Sequence, residues 1–122
     1  MVSLSRNGII TITRGDCFEF PLCINIGTKI SPQFYTLQDD DVVCFYLCEP
    51  HQLTEHALLK KCYTKSDAAE SGEDVDKIKI KFDSKDTFYL VPGTYYYEVK
   101  LVNTTNSEIR TIISRTQFII LE

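Results

Sequence analysis

The feature that most constrains this chain is a two-residue alternation of apolar side chains, which recurs in several separate segments. It is clearest in the segment from residue 16 to residue 26, whose apolar positions are Phe18, Phe20, Leu22, Ile24 and Ile26. Because successive side chains of a β-strand point to opposite faces, this spacing predicts a strand with one buried face. The composition agrees, since the chain has 32 Val, Ile and Thr residues and only three Ala, and β-branched residues favour strands. We therefore predict an all-β fold.

Similar patterns elsewhere bring the total to about seven predicted strands. They are Ile9–Thr13, Asp16–Ile26, Asp41–Cys48, Leu58–Thr64, Asp76–Asp83, Thr94–Val102 and Ile109–Leu121. The third of these is apolar on both sides, which predicts a position in the centre of a sheet. Pro21, in the second, lacks an amide donor and predicts an edge or a bulge.

The number and spacing of the strands indicate an immunoglobulin-like antiparallel β-sandwich, with a small barrel as the competing architecture. A chain of 122 residues is expected to form one domain, residues 1–122.

One local segment favours the sandwich over the barrel. The run from Leu90 to Tyr97, LVPGTYYY, resembles the leucine, proline and tyrosine run at the corner before the sixth strand of fibronectin-type domains. In those domains a tyrosine hydroxyl bonds back to the corner backbone and closes the end of the sandwich. Here the alternation makes Tyr95 the inward residue, one position earlier than in fibronectin-type domains. The pattern predicts the corner and leaves open which tyrosine serves it.

Charge and cysteine content exclude some classes of partner and compartment. The net charge of −4 argues against a nucleic-acid binder, which usually carries a basic face. The five cysteines cannot all pair within one chain, and neither a signal peptide nor a transmembrane run is evident. Cys44 and Cys48 share one face of a predicted strand but lie about 13 Å apart by strand rise, too far for a disulfide or a shared metal. We expect free thiols, folding in a reducing cytoplasm and no membrane association.

The sequence offers few groups of residues that could form a catalytic site. His51 and His56 are the two histidines, and we expect both in exposed loops; a pairing of either with Cys44 or Cys48 as a nucleophile is the alternative. A zinc site would need further ligands. We therefore predict a protein that is not an enzyme and has no catalytic residue, metal site or cofactor.

Two other motifs have a simpler structural interpretation than a binding site. The acidic runs Asp39–Asp41 and Glu70–Asp76 lack the spacing of a calcium loop and are expected to be solvated loops. The tripeptide of residues 14–16, Arg-Gly-Asp, lies between two predicted strands. It is expected to be a turn in which Gly15 supplies the backbone freedom.

Aromatic residues outside the predicted core give the remaining functional signal. Tyr96 faces outward on its strand, and Phe88, Tyr89, Phe34 and Tyr35 lie in predicted loops. Exposed rings of this kind anchor protein interfaces or stack on sugars. The alternative is that these rings cap the open ends of the sandwich. These five residues form the predicted candidate interface.

Four segments, taken together, resemble the layout of small phage virion domains: residues 13–16 (TRGD), 40–45 (DDVVCF), 86–87 (DT) and 90–101 (LVPGTYYYEVKL). The resemblance is to the amino-terminal domain of phage baseplate upper proteins and to related standalone proteins of gut-bacterial phages. That family usually has threonine where Cys17 stands in this chain. The resemblance implies a structural or accessory protein that contacts other phage structural proteins, or a second copy of itself, in the baseplate, tail or capsid. It would be made in the host bacterial cytoplasm and then carried in the virion.

Two other functions remain open at this point. One is a ligand-binding module that recognises a host-surface glycan or a host protein through Tyr96 and the loop aromatics. The other is a cytoplasmic phage protein that inhibits a host factor, with which the acidic charge is compatible.

Overall fold

The computed structural model describes residues 2–4, 8–22, 24, 30–31, 35–68 and 77–122. The strands in these ranges are β1 (Val2–Leu4), β2 (Ile10–Thr13), β3 (Phe18–Leu22), β4 (Asp41–Cys48), β5 (Leu59–Thr64), β6 (Ile78–Phe82), β7 (Gly93–Asn103) and β8 (Ile109–Leu121). One short helix, α1 (Ser84–Phe88), and two 3₁₀ helices, Thr54–His56 and Lys65–Asp67, join them. Among these described helices, none has the length and apolar character needed to cross a membrane.

The strands form two sheets, and the predicted all-β sandwich-like fold is confirmed. The larger sheet has the order β1-β2-β8-β7-β4-β5, and β3 pairs with β6 in the smaller sheet. Strand β4 lies between β7 and β5, as its two apolar faces predicted. The order β8-β7-β4-β5 beside β3-β6 matches strands G, F, C and C′ beside B and E of immunoglobulin-like domains.

One strand pair is parallel, a detail that the predicted antiparallel sandwich did not specify. Strands β2 and β8 run parallel, with Ile10 opposite Phe118, whereas the other strand pairs of the described residues are antiparallel. Alternation along a strand sets which side chains are buried but not the direction of its neighbour, so this feature lay outside what the pattern could specify.

The core lies between the inner faces of the two sheets and is rich in aromatic rings. The Phe45 ring is fully buried and lies 5.2 Å from Phe82, 5.5 Å from Tyr97 and 6.4 Å from Phe20, measured between ring centroids. Large rings bury much apolar area, and edge-to-face contacts add to the stabilisation. The inward positions predicted on β7, Tyr95, Tyr97, Val99 and Leu101, are all buried.

The smaller sheet shows why Pro21 is tolerated inside a strand. Among the described residues, β3 pairs only with β6, and Pro21 stands opposite Lys79. A strand with a single partner has a free edge, where the missing amide donor of proline costs no ladder hydrogen bond. Within the described residues β3 is therefore an edge strand, which is one of the two positions that Pro21 predicted.

Candidate protein interface at the sandwich corner

The segment between α1 and β7 carries a cluster of exposed apolar side chains. Phe88 is 55% exposed, Tyr89 85% and Val91 73%, whereas Leu90 between them packs against the core. Single exposed hydrophobic residues are normal on a protein surface, but a contiguous group marks an interaction site more often. We call Phe88, Tyr89 and Val91 the corner patch.

Hydrogen bonds and an ion pair fix the backbone that leads into the patch. At the start of α1 the Asp83 amide donates to the Asp86 carboxylate at 2.7 Å, and the same carboxylate pairs with Lys61 Nζ at 3.0 Å. At the end of the helix the Leu90 amide donates to the Thr87 carbonyl at 3.0 Å. A five-residue helix is not stable alone, so these contacts and the buried Thr87 hold it in place.

A tyrosine corner fixes the other end of the patch. The Tyr95 hydroxyl donates to the Val91 carbonyl at 2.6 Å, and the Tyr95 side chain is buried. Burial raises the pKa of Tyr95 above its ordinary value. This contact shows that Tyr95 serves the corner. Tyr97, two positions on, donates instead to the Gly8 carbonyl and so ties the entry of β2 to β7.

The turn at residues 14–16 packs beside the patch. Gly15 has a φ of +86°, a left-handed conformation that favours glycine, and its amide donates to the Thr87 hydroxyl at 3.0 Å. The Arg14 guanidinium lies 6.0 Å from the centroid of the Phe88 ring. The tripeptide is therefore a turn, as predicted, and it places a cation against the aromatic face of the patch.

A cleft borders the patch on the side of Val91. It is lined by the turn Glu49–Gln52 after β4 and by residues 91–95, so that Val91 belongs to both the cleft and the patch. The Arg115 guanidinium donates to the carbonyls of Glu49, at 3.2 Å, and of Gln52. Those contacts hold the turn, and with it one wall of the cleft.

The structure brings two of the five predicted interface residues together. The rings of Phe88 and Tyr89 meet edge to face, with 5.2 Å between centroids. Tyr96 is half-buried on the outer face of the larger sheet, opposite Cys48 and Gln117. Tyr35 lies at the other end of β4, and Phe34 lies outside the described residues.

Tyr35 belongs to a partly buried polar network centred on the buried Asp41 carboxylate. The Asp41 carboxylate accepts hydrogen bonds from the Tyr35 hydroxyl at 2.6 Å, the Gln38 amide at 2.9 Å and the Asn103 side chain at 3.1 Å. Burial alone would raise the pKa of Asp41, but the three hydrogen bonds together lower it below its ordinary value. The hydrogen bond from Tyr35 to Asp41, together with burial, raises the pKa of Tyr35 to about 12. This network closes the end of the sandwich.

The remaining candidates for chemistry are dispersed. His51 and His56 are exposed, on a turn and in a 3₁₀ helix. Within the described ranges no group of three or more His, Cys, Asp or Glu side chains is placed to hold a metal ion. Asp41 uses its carboxylate inside the network, and residues 70–76 of the second acidic run lie outside the described residues.

Sequence reasoning missed Val91 and Arg14 as members of this surface. A signal for Val91 was present, since residues 88–91 are four consecutive apolar residues that a helix end followed by a turn cannot all bury. Arg14 had no such signal, because its contact with Phe88 joins segments 74 residues apart in the chain.

Comparison with known proteins found no match to this chain among protein-family models, curated proteins or solved structures. A functional proposal for it therefore rests on its own residues and their arrangement.

Proposed function

We propose that this protein is a non-enzymatic β-sandwich component of a bacteriophage particle that binds another particle protein through the corner patch. The observation that carries the proposal is the patch itself: three large apolar side chains within four positions, each more than half exposed. The resemblance of residues 13–16, 40–45 and 90–101 to phage virion domains supports the phage context.

The chemistry of the patch suits a protein partner. Two aromatic rings and a valine supply apolar area, and Arg14 adds a guanidinium beside them. Aromatic and arginine side chains contribute most of the affinity in typical protein interfaces. Because the backbone on both sides is held by Asp86, Thr87 and Tyr95, little conformational entropy is lost when the patch binds.

Particle incorporation tests the proposal. Purified virions of the encoding phage would be compared by quantitative mass spectrometry after production with wild-type protein or with the variant Phe88→Ser/Tyr89→Ser/Val91→Ser. We expect wild-type protein in the particles and at least about a tenfold loss for the variant, since loss of even one strong anchor costs more than the roughly 1.4 kcal/mol that a tenfold change needs. Absence of wild-type protein from the particles would refute the phage role.

A matched control comes from the opposite end of the sandwich. Ile109 is 61% exposed, close to the exposure of Phe88, but it begins β8 and pairs with Val102. Ile109→Ser should therefore leave incorporation unchanged. Light scattering after size-exclusion chromatography shows whether the partner is a second copy, because the triple variant would then lose the oligomer that the wild type and Ile109→Ser retain.

A glycan-binding module is the second candidate, and the cleft beside the patch is the observation that favours it. Sugars stack on exposed rings such as Tyr89, and Glu49, His51 and Gln52 supply polar groups nearby. Binding to a glycan array that is lost in Tyr89→Ala and kept in Tyr96→Ala would support this function at the corner. No binding by the folded wild-type protein would remove it.

A further inference from the structure

Two cysteines that are distant in sequence meet on the outer face of the larger sheet. Cys44 on β4 and Cys62 on β5 are direct partners in the antiparallel register, and their Sγ atoms lie 3.1 Å apart. Both are free thiols in this structure. Side chains that face each other across two strands have Cβ atoms about 4.5–5.5 Å apart, and a disulfide needs about 3.5–4.5 Å. A bond between the two sulfurs therefore requires only a small local movement.

The two thiols differ in how far they are open to solvent. Cys62 is exposed on the edge strand of the larger sheet, whereas Cys44 is 95% buried beside it. An oxidant in solution therefore reaches Cys62 first. The Cys44 thiol lies in contact with the Cys62 sulfur and can react with it once Cys62 is oxidised. Such an arrangement of one accessible and one resolving cysteine is the geometry by which proteins convert a sulfenic acid into a disulfide.

We propose that Cys44 and Cys62 form a redox modification site, which closes to a cross-strand disulfide when the protein meets a peroxide. In the first step the Cys62 sulfur attacks hydrogen peroxide, the O–O bond breaks, and a sulfenic acid and water form. In the second step the Cys44 sulfur attacks the sulfenic sulfur, the S–O bond breaks and a second water leaves. Two thiols are oxidised by two electrons in total, and one peroxide is reduced to two waters. This inference is independent of the proposed function.

The groups around Cys62 affect how fast its thiol reacts with peroxide. Partial burial of the sulfur and the hydrogen bond shared with Cys44 raise the pKa of Cys62 to about 11, and nearby Lys60 opposes this effect. Tyr46 on β4, with Glu98 and Lys100 on β7, lines the same face. Because the thiolate is the reactive form, the raised pKa makes the reaction of Cys62 with peroxide slow at neutral pH.

The other described cysteines provide internal controls. Cys48 is buried on the same strand, opposite Tyr96 on β7, and burial raises the pKa of its thiol. Cys17 is an exposed single thiol just before β3. Neither is placed beside another described thiol in the way that Cys44 and Cys62 are.

The experiment is a thiol count on the full chain before and after oxidation. Reduced protein would be treated with a small excess of hydrogen peroxide, unfolded, alkylated with N-ethylmaleimide and measured by intact mass spectrometry. We expect the major product to carry three alkyl groups instead of five, with fragmentation placing the link between Cys44 and Cys62 rather than Cys48. Reduction with dithiothreitol before alkylation should restore the product with five alkyl groups.

Variants separate this pair from the alternatives. Cys62→Ser, at the exposed position, should abolish the link without loss of the fold, as checked by circular dichroism, and Cys44→Ser should do the same. Cys48→Ser and Cys17→Ser should form the link as the wild type does. The proposal is overturned if peroxide oxidises Cys17 completely while Cys44 and Cys62 remain alkylatable, or if Cys62→Ser retains a disulfide in equal yield.

Discussion

The two ends of this sandwich are both closed by side-chain hydrogen bonds, but they differ in how exposed apolar side chains are grouped. The corner end displays three of them within four positions, whereas the polar loop at the other end is followed by the exposed Ile109. At the Asp41 end, the carboxylate of Asp41 joins Tyr35, Gln38 and Asn103, and the adjoining hairpin loop is polar from Thr104 to Glu108. At the corner end, the Tyr95 hydroxyl donates to the Val91 carbonyl and the Gly15 amide donates to the Thr87 hydroxyl. The side chains displayed there are Phe88, Tyr89 and Val91 rather than polar ones.

This contrast separates what closes the fold from what the fold displays. The Asp41 network satisfies the buried Asp41 carboxylate with three hydrogen bonds, so its residues are explained by stability. The corner contacts explain Tyr95, Thr87 and Gly15 in the same way, but they leave the exposed apolar side chains beside them without a structural reason. This difference is the reason why we propose the corner end, rather than the Asp41 end, as the surface that binds a partner.

The largest expected effect on stability is at the Asp41 end. Asp41→Ala would leave the Tyr35 hydroxyl, the Gln38 amide and the Asn103 amide without their acceptor. Because breaking a buried hydrogen-bonded network around a charge costs several kcal/mol, we expect a loss of about 3 kcal/mol in the free energy of unfolding, measured by urea denaturation. A loss below about 1 kcal/mol would show that this end is not held by the network.

The same network predicts a dependence on pH with a definite sign. The pKa of Asp41 is lower in the folded state than its ordinary value, so the folded protein holds the charged form more strongly than the unfolded chain does. This contribution is present above about pH 4 and is lost as the pH falls through the folded pKa. Asp41→Asn has no carboxyl to protonate, so its stability should fall less than that of the wild type between about pH 4 and pH 2.

An intermediate effect is expected from Tyr95→Phe at the corner end. The substitution removes the hydroxyl that donates to Val91 and leaves the buried ring, so it should cost about 1–1.5 kcal/mol in urea denaturation. Tyr89→Phe is the matched control, since its ring is 85% exposed and its hydroxyl should be worth less than about 0.5 kcal/mol. Equal effects of the two substitutions would contradict a role for the tyrosine corner in holding the patch.

The smallest effect is expected from Gly15→Ala in the turn beside the patch. An added Cβ would meet Phe88 Cδ2 at 3.5 Å and Ser84 Oγ at 3.8 Å, which are ordinary contacts. The cost therefore comes from the φ of +86° and should be about 1 kcal/mol, since a Cβ in the left-handed region is crowded by the following carbonyl oxygen. Gly15→Asn should cost less, because asparagine tolerates the left-handed region better. A larger loss for Asn than for Ala in thermal melts would contradict this explanation.

Local pattern predicted the strands well and the candidate site only in part. The alternation in residues 16–26 and 94–102 identified buried positions such as Phe20, Leu22 and Tyr97, because burial on a strand follows a two-residue period. Phe88 and Tyr89 were predicted as exposed loop residues, whereas the structure places Phe88 at the end of α1. Arg14 was missed, because its place against Phe88 depends on how β2, α1 and the turn between β2 and β3 pack together.

The cysteines likewise separate what local spacing predicts from what the pairing of strands decides. Spacing along β4 correctly placed Cys44 and Cys48 too far apart to pair, but it could not identify Cys62 as the neighbour of Cys44, because that contact is set by the register between β4 and β5. By itself the sequence determined which faces of the strands are buried, since that follows from local side-chain periodicity. The tertiary structure decided the parallel β2–β8 pair, the thiol pair and the apolar corner, because pairing and exposure depend on contacts between distant segments.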